Sequence, residues 1–245
     1  MNAAVIICAA GSSSRFGGKK KKIFVEVCGV PVLLRSVNIF SEIEDVKQII
    51  LAISPEDEEK IRINWDANLA FAGVELCLGG DQRTQTVANA LAKVRDDIDI
   101  VAIHDAARCC VTTEWVNAVF AKAYQSGAAT LACPVVATIK KAENGVIKST
   151  VDRTNLYEAQ TPQVFERKLI LDAYKKIGKL SNKSAITDDC SVVEAVGKDI
   201  SIVETDSSNI KITKQADVAI AQAIIQSMEK KTPRALHPFQ EESMW

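Results

Sequence analysis

At 245 residues, 47% hydrophobic and 25% charged, the chain has the makeup of a soluble globular protein large enough for one sizeable α/β domain, which sets aside fibrous, low-complexity and disordered classes. A formal net charge of −1 argues against general nucleic-acid binding, and no run is apolar enough to span a membrane or to read as a secretion leader. The seven cysteines are odd in number, lie mostly in apolar stretches and lack CxxC spacing, so they read as reduced thiols of a cytoplasmic protein.

Apolar runs alternate with helical patterns along the chain. AAVIIC (3–8) is short, continuous and β-branched, the mark of a strand buried on both faces. PVLLRSVNIFSEI (31–43) has helical spacing, QIILAIS (48–54) reads as a second strand, and PEDEEKIRINWDANLAF (55–71) as a helix with Pro55 in its first turn. VELCL (74–78), RTQTVANALAKVR (83–95) and DIVAIH (99–104) continue the rhythm. TTEWVNAVFAKAYQSG (112–127), with Thr113 able to cap its start, leads to a fifth strand, ATLACPVV (129–136). Such repetition predicts an α/β fold, a Rossmann-like, mostly parallel sheet with helices on both faces and ligands at the carboxyl ends of the strands.

After Val136 the rhythm changes. In ATIKKAENGVIKSTVDR (137–153), Asn144-Gly145 separates two alternating segments, a strong hairpin signal, so an arm over about 137–158 is expected to project from a single domain of residues 1–230. A hairpin of this size does not fold alone, which predicts packing on a second copy and a homodimer with composite sites. ERKLILDAYKKI (166–177), TDDCSVVEAVG (187–197), the strand ISIVET (200–205) and the helix KQADVAIAQAIIQSMEKK (214–231) follow, and the tail 231–245 reads as irregular.

The chemistry starts in AAGSSSRFGGKKKK (9–22). A glycine turn behind the first strand lets backbone N–H groups approach an anion, and Ser12, Ser13 and Ser14 add hydroxyl donors. Neither GxxxxGK[ST] nor GxGxxG fits. What remains is a phosphate-binding turn followed by fixed cations, Arg15 and one of the lysines, a combination suited to reaction at a nucleotide's α-phosphate. For any single lysine of the four, simple solvation is the plain alternative. GGDQRTQTV (79–87) reads either as an ordinary strand-to-helix turn or as a nucleotide loop. IHDAARCCV (103–111) puts Asp105 at the end of the fourth strand, where a hard oxygen ligand can hold Mg²⁺ bridged by triphosphate oxygens, and Arg108 can meet a phosphate. His104 reads as a packed residue, because a phosphate nucleophile is already ionised and needs no base.

Taken in order, these segments resemble the cytidylyltransferases that make 4-diphosphocytidyl-2-C-methyl-D-erythritol in the non-mevalonate isoprenoid pathway. The first loop and KIFVEVCGVPVL are similar to AAGxGxRM…KxFxExxGxPVL, which makes Lys22 the matching lysine, with Ser13 in place of a usual Gly and Phe16 of a usual Met. GGDQRTQTV resembles GGxxRxxSV, and IHDAARCCV resembles HDAARP with Cys109 at the Pro position. VDRTNLYEAQTPQVF (151–165) is close to DRxxLxxxQTPQ, ITDDCSVVE to ITDEAS, and SSNIKIT (207–213) to NIKIT, with Ser208 where an acidic residue is frequent. The likeness spans about residues 3 to 228.

The resemblance implies a nucleotide-diphospho-sugar-transferase-like fold and transfer of CMP from CTP to 2-C-methyl-D-erythritol 4-phosphate, with Mg²⁺ or another divalent cation. It places Ala9, Ala10, Gly11 and Ser12 at the nucleotide phosphates, Gly80, Asp81 and Thr86 at base and ribose, and Asp105 and Ala106 beside them, with Asp105 as metal ligand. Arg15, Lys22 and Lys211 become the catalytic cations, leaving Lys19 to Lys21 to add local field. Arg108 and Thr161 fall to the polyol phosphate, and Thr138 and Arg153 on the arm to the same substrate in the partner subunit's site. For Thr187 and Asp188 a structural role at a helix start is favoured. A ribitol-5-phosphate cytidylyltransferase is the nearest alternative, against which AAG rather than AGG speaks. A non-catalytic nucleotide-binding regulator would have no physical need for the retained charges Arg15, Lys22, Asp105, Arg153 and Lys211.

Overall fold

The computed structural model describes residues 1–18, 20–177 and 186–231, with Lys230 and Lys231 described by backbone alone. Lys19 and the predicted irregular tail past Lys231 lie outside the described residues. In chain order the elements are β1 (Ala3–Cys8), a 3₁₀ turn (Lys22–Phe24), β2 (Glu26–Val27), β3 (Val30–Pro31), α1 (Val32–Ser41), β4 (Val46–Ile53) and a second 3₁₀ turn (Pro55–Asp57). These are followed by α2 (Glu58–Phe71), β5 (Val74–Leu78), α3 (Arg83–Leu91), β6 (Ile100–Asp105), α4 (Thr113–Ser126) and β7 (Ala128–Pro134). The last third holds β8 (Ile139–Glu143), β9 (Val146–Val151), β10 (Tyr157–Glu166), α5 (Arg167–Lys176), α6 (Asp189–Glu194), β11 (Ser201–Glu204) and α7 (Ala216–Lys231).

Seven strands form one sheet in the order β11-β7-β10-β6-β1-β4-β5. The β1–β4, β1–β6, β4–β5 and β7–β11 pairs are parallel, so the fold class is the one expected. Side chains alternate across each strand, and both faces are covered, which is why the runs are apolar throughout rather than every second residue. Val5, Ile7 and Leu51 pack with Leu33 and Phe40 of α1, Ile61 of α2 and Phe120 of α4, while Ala4, Ile6 and Ile50 face Val87 of α3, Ile170 of α5 and Val192 of α6. Each such fully buried side chain contributes about 1.5–3 kcal/mol. A third cluster joins Phe16, Val27, Val32, Cys109, Cys110 and Ile212 to Ala221 and Ile225 of α7, so the closing helix seals the far side of the first loop.

Three sequence expectations need correction. No strand was predicted over Tyr157–Glu166, yet β10 inserts antiparallel between β6 and β7. Pro162 inside it removes a ladder donor, and the β7 register shifts between Ala159 and Gln163, so the missing N–H falls where pairing is already interrupted. Helix α4 is capped by Thr112, whose hydroxyl accepts the Trp115 N–H at 3.3 Å, one residue before the Thr113 expected. Helix α3 stops at Leu91, four residues short of the predicted end.

The arm is present. Strands β8 and β9 pair only with each other around Asn144 (φ 49°) and Gly145 (φ 76°), as a two-residue turn with two left-handed positions requires. Every residue of both strands is exposed, Val146 and Ile147 included.

Candidate active site

Strands β1, β4, β5 and β6 run in one direction and end at Cys8, Ile53, Leu78 and Asp105, and the loops leaving these ends enclose a cleft of about 430 Å³. Its walls are Cys8 to Ser12, Ser54 to Glu56 and Gly79 to Arg83, with Thr86, Asp105, Lys22 and Lys211. Gly79 is a matter of space: a Cβ there would lie 2.7 Å from Ala10 Cβ and 2.8 Å from Thr86 Oγ1, so only glycine lets the second loop lie against the first. Thr86 is buried, and its hydroxyl accepts the Gly80 N–H at 3.1 Å, holding the Gly80 turn in shape.

Lys22 enters from the 3₁₀ turn. Its backbone N–H donates to Ser13 Oγ at 3.3 Å and its Nζ donates to the Ile212 carbonyl at 2.9 Å. Ser13 has φ 57°, so the residue at the usual glycine position still takes the left-handed conformation, at a cost of about 1–3 kcal/mol, and its hydroxyl tethers Lys22. Phe16, at the usual methionine position, is buried and anchors the loop in the α7 cluster. Burial first, and then the Lys211 charge, lower the Lys22 pKa from its ordinary value.

Asp105 sits between two cations. Lys211 Nζ donates to its Oδ2 at 2.6 Å, and Arg83 Nε lies 3.8 Å from its Oδ1. Burial pushes this carboxyl upward, but Lys211 and Arg83 outweigh it and hold the pKa at about 2. The Asp105 N–H donates to Thr161 Oγ1 at 3.0 Å, and the Ala106 N–H to the Cys8 carbonyl at 3.1 Å, so the carboxylate rides on a backbone pinned from both sides. Among the described residues there is no group of three or more His, Cys, Asp or Glu side chains placed to hold a metal. Asp105, one of three carboxylates on the cleft lining with Glu56 and Asp81, fits Mg²⁺, which is commonly held by one or two carboxylates, water and substrate phosphates.

Arg83 was quoted in a motif but not singled out. A cation in a helix's first turn opposes the macrodipole, which was the available signal that it has other work. Its Nη2 donates to Asp189 Oδ2 at 2.6 Å, and Tyr174 Oη donates to Asp189 Oδ1 at 2.5 Å, deep under the cleft floor. Gln163 Oε1 accepts the Asp189 and Cys190 N–H groups, each at 3.0 Å. Asp188 caps α6 by accepting the Ser191 N–H at 2.9 Å, the structural role expected, while Thr187 is exposed beside it.

The remaining candidates lie away from the cleft lining. Arg15 is exposed, Ala106 is buried just behind the wall, and Arg108 donates to the carbonyls of Asn209 (2.7 Å) and Ala159 (3.2 Å). Thr138 and Arg153 are exposed on the arm, where Arg153 contacts the Val136 carbonyl. His104 is fully buried, edge-on to Phe40, with Nδ1 3.1 Å from Thr161 Oγ1. Burial drives its pKa to about 3, which leaves a neutral ring packed behind the site. Lys21 does not add free positive field, since it is paired with Glu56 and Asp57, and Lys20 is exposed. All seven cysteines are free thiols.

A family model described as 2-C-methyl-D-erythritol 4-phosphate cytidylyltransferase matches residues 3–227. The chain belongs to this family. Relatives bearing that name include one from Caldanaerobacter subterraneus, 40% identical over 92% of this chain and 99% of its own, and one from Rhodopirellula baltica, 38% identical over 90% and 93%. Among solved structures, the 4-diphosphocytidyl-2C-methyl-D-erythritol synthase from Anaerococcus prevotii superposes with a TM-score of 0.78 at 27% identity, covering 92% of this chain and 96% of that one. The Thermus thermophilus cytidylyltransferase gives 0.76 at 27% identity, over 92% of this chain and 100% of that one. Within this family, a cleft walled by a glycine-serine turn, two lysines and two aspartates is the place to look for nucleotidyl transfer. Among the described residues no helix is long and apolar enough to cross a membrane.

Proposed function

We propose that this chain transfers the cytidylyl group of CTP to the phosphate of 2-C-methyl-D-erythritol 4-phosphate, giving 4-diphosphocytidyl-2-C-methyl-D-erythritol and pyrophosphate. The observation that carries the reading is the convergence of Lys22, Lys211 and Asp105 with two glycine turns on one cleft, in a member of this family. Gly80 and Asp81 receive base and ribose with Thr86 shaping their turn, and Ala9, Ala10, Gly11 and Ser12 face the phosphates, with Ala106 behind them. A divalent cation, Mg²⁺ or a similar ion, would be held by Asp105 and would offset the triphosphate's charge. The substrate phosphate oxygen forms a bond to the α-phosphorus as the bond to pyrophosphate breaks on the opposite side, and no protein base is needed. Lys22, Lys211 and Arg15 meet the negative charge that grows on the transferring group, and fixed cations do this without reorganising.

Arg108 and Thr161 are read as serving the polyol phosphate, a reading supported by Thr161 Oγ1 accepting the Asp105 N–H at 3.0 Å. Thr138 and Arg153 on the arm are read as serving the site of a partner subunit. The exposed Val146 and Ile147 favour this, since a two-stranded ribbon with bare apolar side chains is stabilised by packing on another surface. We therefore read residues 1–230 as one nucleotidyltransferase domain, dimerised through the arm at about 137–158 and working with reduced thiols in the cytoplasm.

The test is pyrophosphate release from CTP and Mg²⁺, with 2-C-methyl-D-erythritol 4-phosphate and ribitol 5-phosphate run in parallel, together with the mass in solution. Release with the erythritol substrate by a dimer is expected. Release with ribitol phosphate alone would reassign the substrate, and CTP binding without release would favour a regulator.

A further inference from the structure

Four consecutive lysines close the first loop, and the last two go in opposite directions. Lys22 turns into the cleft, with Nζ 2.9 Å from the Ile212 carbonyl. Lys21 turns the other way, with Nζ 2.7 Å from Asp57 Oδ2 and in contact with Glu56 Oε1. Asp57 is only 5% exposed and belongs to the 3₁₀ turn after β4, while Glu56 lines the cleft.

Residues on either side of this pair are held very differently. Downstream, the Phe24 N–H donates to the Lys21 carbonyl at 3.0 Å, and the Phe24 ring stacks on Trp65 of α2 at 5.4 Å. Lys60 Nζ of α2 lies 4.1 Å from the centre of the same Phe24 ring. Upstream, Gly17, Gly18 and Lys20 are exposed, and both glycines have positive φ. Lys21 thus joins Ser13 Oγ, which accepts the Lys22 N–H, in fixing the junction between a solvated glycine span and the anchored turn that carries Lys22. Burial works against the Lys21 charge, but its hydrogen bonds to Asp57 and Glu56 outweigh it and raise the pKa above the ordinary lysine value, so Lys21 stays charged at neutral pH.

We propose that Lys21 is a positioning residue for nucleotidyl transfer: its ion pair with Asp57 and Glu56 latches the end of the first loop to the turn after β4, aims Lys22 into the cleft, and cancels the Glu56 carboxylate on a wall that must accept an anion. This deepens the cytidylyl-transfer reading and rests on it. Small misplacements of a reacting group are costly, about a hundredfold for 1 Å, so a loosened Lys22 costs about tenfold in kcat.

The experiment compares Lys21→Met, Lys21→Arg, Lys20→Met and the double variant Lys21→Met with Asp57→Asn. It reads kcat and the KM for CTP, and amide exchange at Lys22, Ile23 and Phe24 in the substrate-free chain. Lys21→Met is expected to lower kcat about tenfold, raise the KM for CTP and speed exchange at the three amides, with Lys21→Arg restoring all three readings. Lys20→Met should match wild type. The double variant removes the unpaired buried carboxylate, so its melting temperature recovers while kcat stays low and exchange fast. Recovery of kcat together with stability, equal losses in Lys20→Met and Lys21→Met, or unchanged exchange in Lys21→Met would each overturn the latch. A wild-type chain that releases no pyrophosphate would sink the function instead, and the exchange comparison would still decide the latch.

Discussion

Lys211→Met takes away the nearer of the two cations on Asp105 and leaves Arg83 at 3.8 Å. With Asp105 held at about 2 against an ordinary 3.8, and each pKa unit worth about 1.4 kcal/mol, the ionised carboxylate stabilises the fold by about 2–3 kcal/mol at neutral pH. Lys211 is the largest favourable contributor but Arg83 and Arg108 remain, so the variant is expected to lose about 1–2 kcal/mol. In a chain of this length that lowers Tm by about 2–8 °C. The sign of the pH dependence follows from the depressed value. Stability from Asp105 is fully present above 3.8 and is lost as pH falls from there through about 2, whereas in the variant, with a higher folded Asp105 pKa, the loss begins at the same pH but is smaller and ends at higher pH. The wild-type advantage should therefore be full at pH 7 and disappear once Asp105 is protonated in both proteins. Urea unfolding across this range, with NMR titration of the Asp105 carboxyl, measures it, and pyrophosphate release should fall about 10²–10³-fold alongside. An Asp105 that titrates unchanged in Lys211→Met, with an unchanged Tm, would refute the reasoning.

Three further outcomes are expected. Lys22 must be protonated to act, and its pKa lies below the ordinary 10.5, so kcat/KM should fall on the alkaline side as pH rises through a value below 10.5, and Lys22→Met should abolish that limb along with most of the rate. Thr161→Val leaves the Asp105 N–H and His104 Nδ1 without their shared partner in a buried place, a loss of about 1–3 kcal/mol visible in urea unfolding. Arg153→Ala on the exposed arm should raise the KM for methylerythritol phosphate while leaving the KM for CTP and the Tm unchanged; equal shifts in both KM values would show that the arm does not serve one substrate.

Much of the scaffold is legible in the chain because it is local. Uninterrupted apolar runs such as AAVIIC follow from burial on both faces, and Asn144-Gly145 from the left-handed φ a two-residue turn demands. The motif residues could likewise be marked as a set. What could not be read was β10, because Pro162 and the polar Gln160, Thr161 and Gln163 around it break the apolar run that marks the other central strands. They are tolerated there only because distant groups satisfy them: Gln160 Oε1 accepts from Thr205 Oγ1 and Asn209 Nδ2, each at 2.8 Å, Thr161 holds the Asp105 N–H, and Gln163 holds the start of α6. The Arg83–Asp189–Tyr174 chain and the opposite courses of Lys21 and Lys22 are of the same kind. Sequence by itself determined the strands of the sheet other than β10 and which charges stand near its carboxyl edge, since periodicity and turn chemistry act over a few residues. Tertiary structure decided which of those charges enter the cleft and which are neutralised, because a side chain's field depends on partners that the fold brings from up to about 190 positions away.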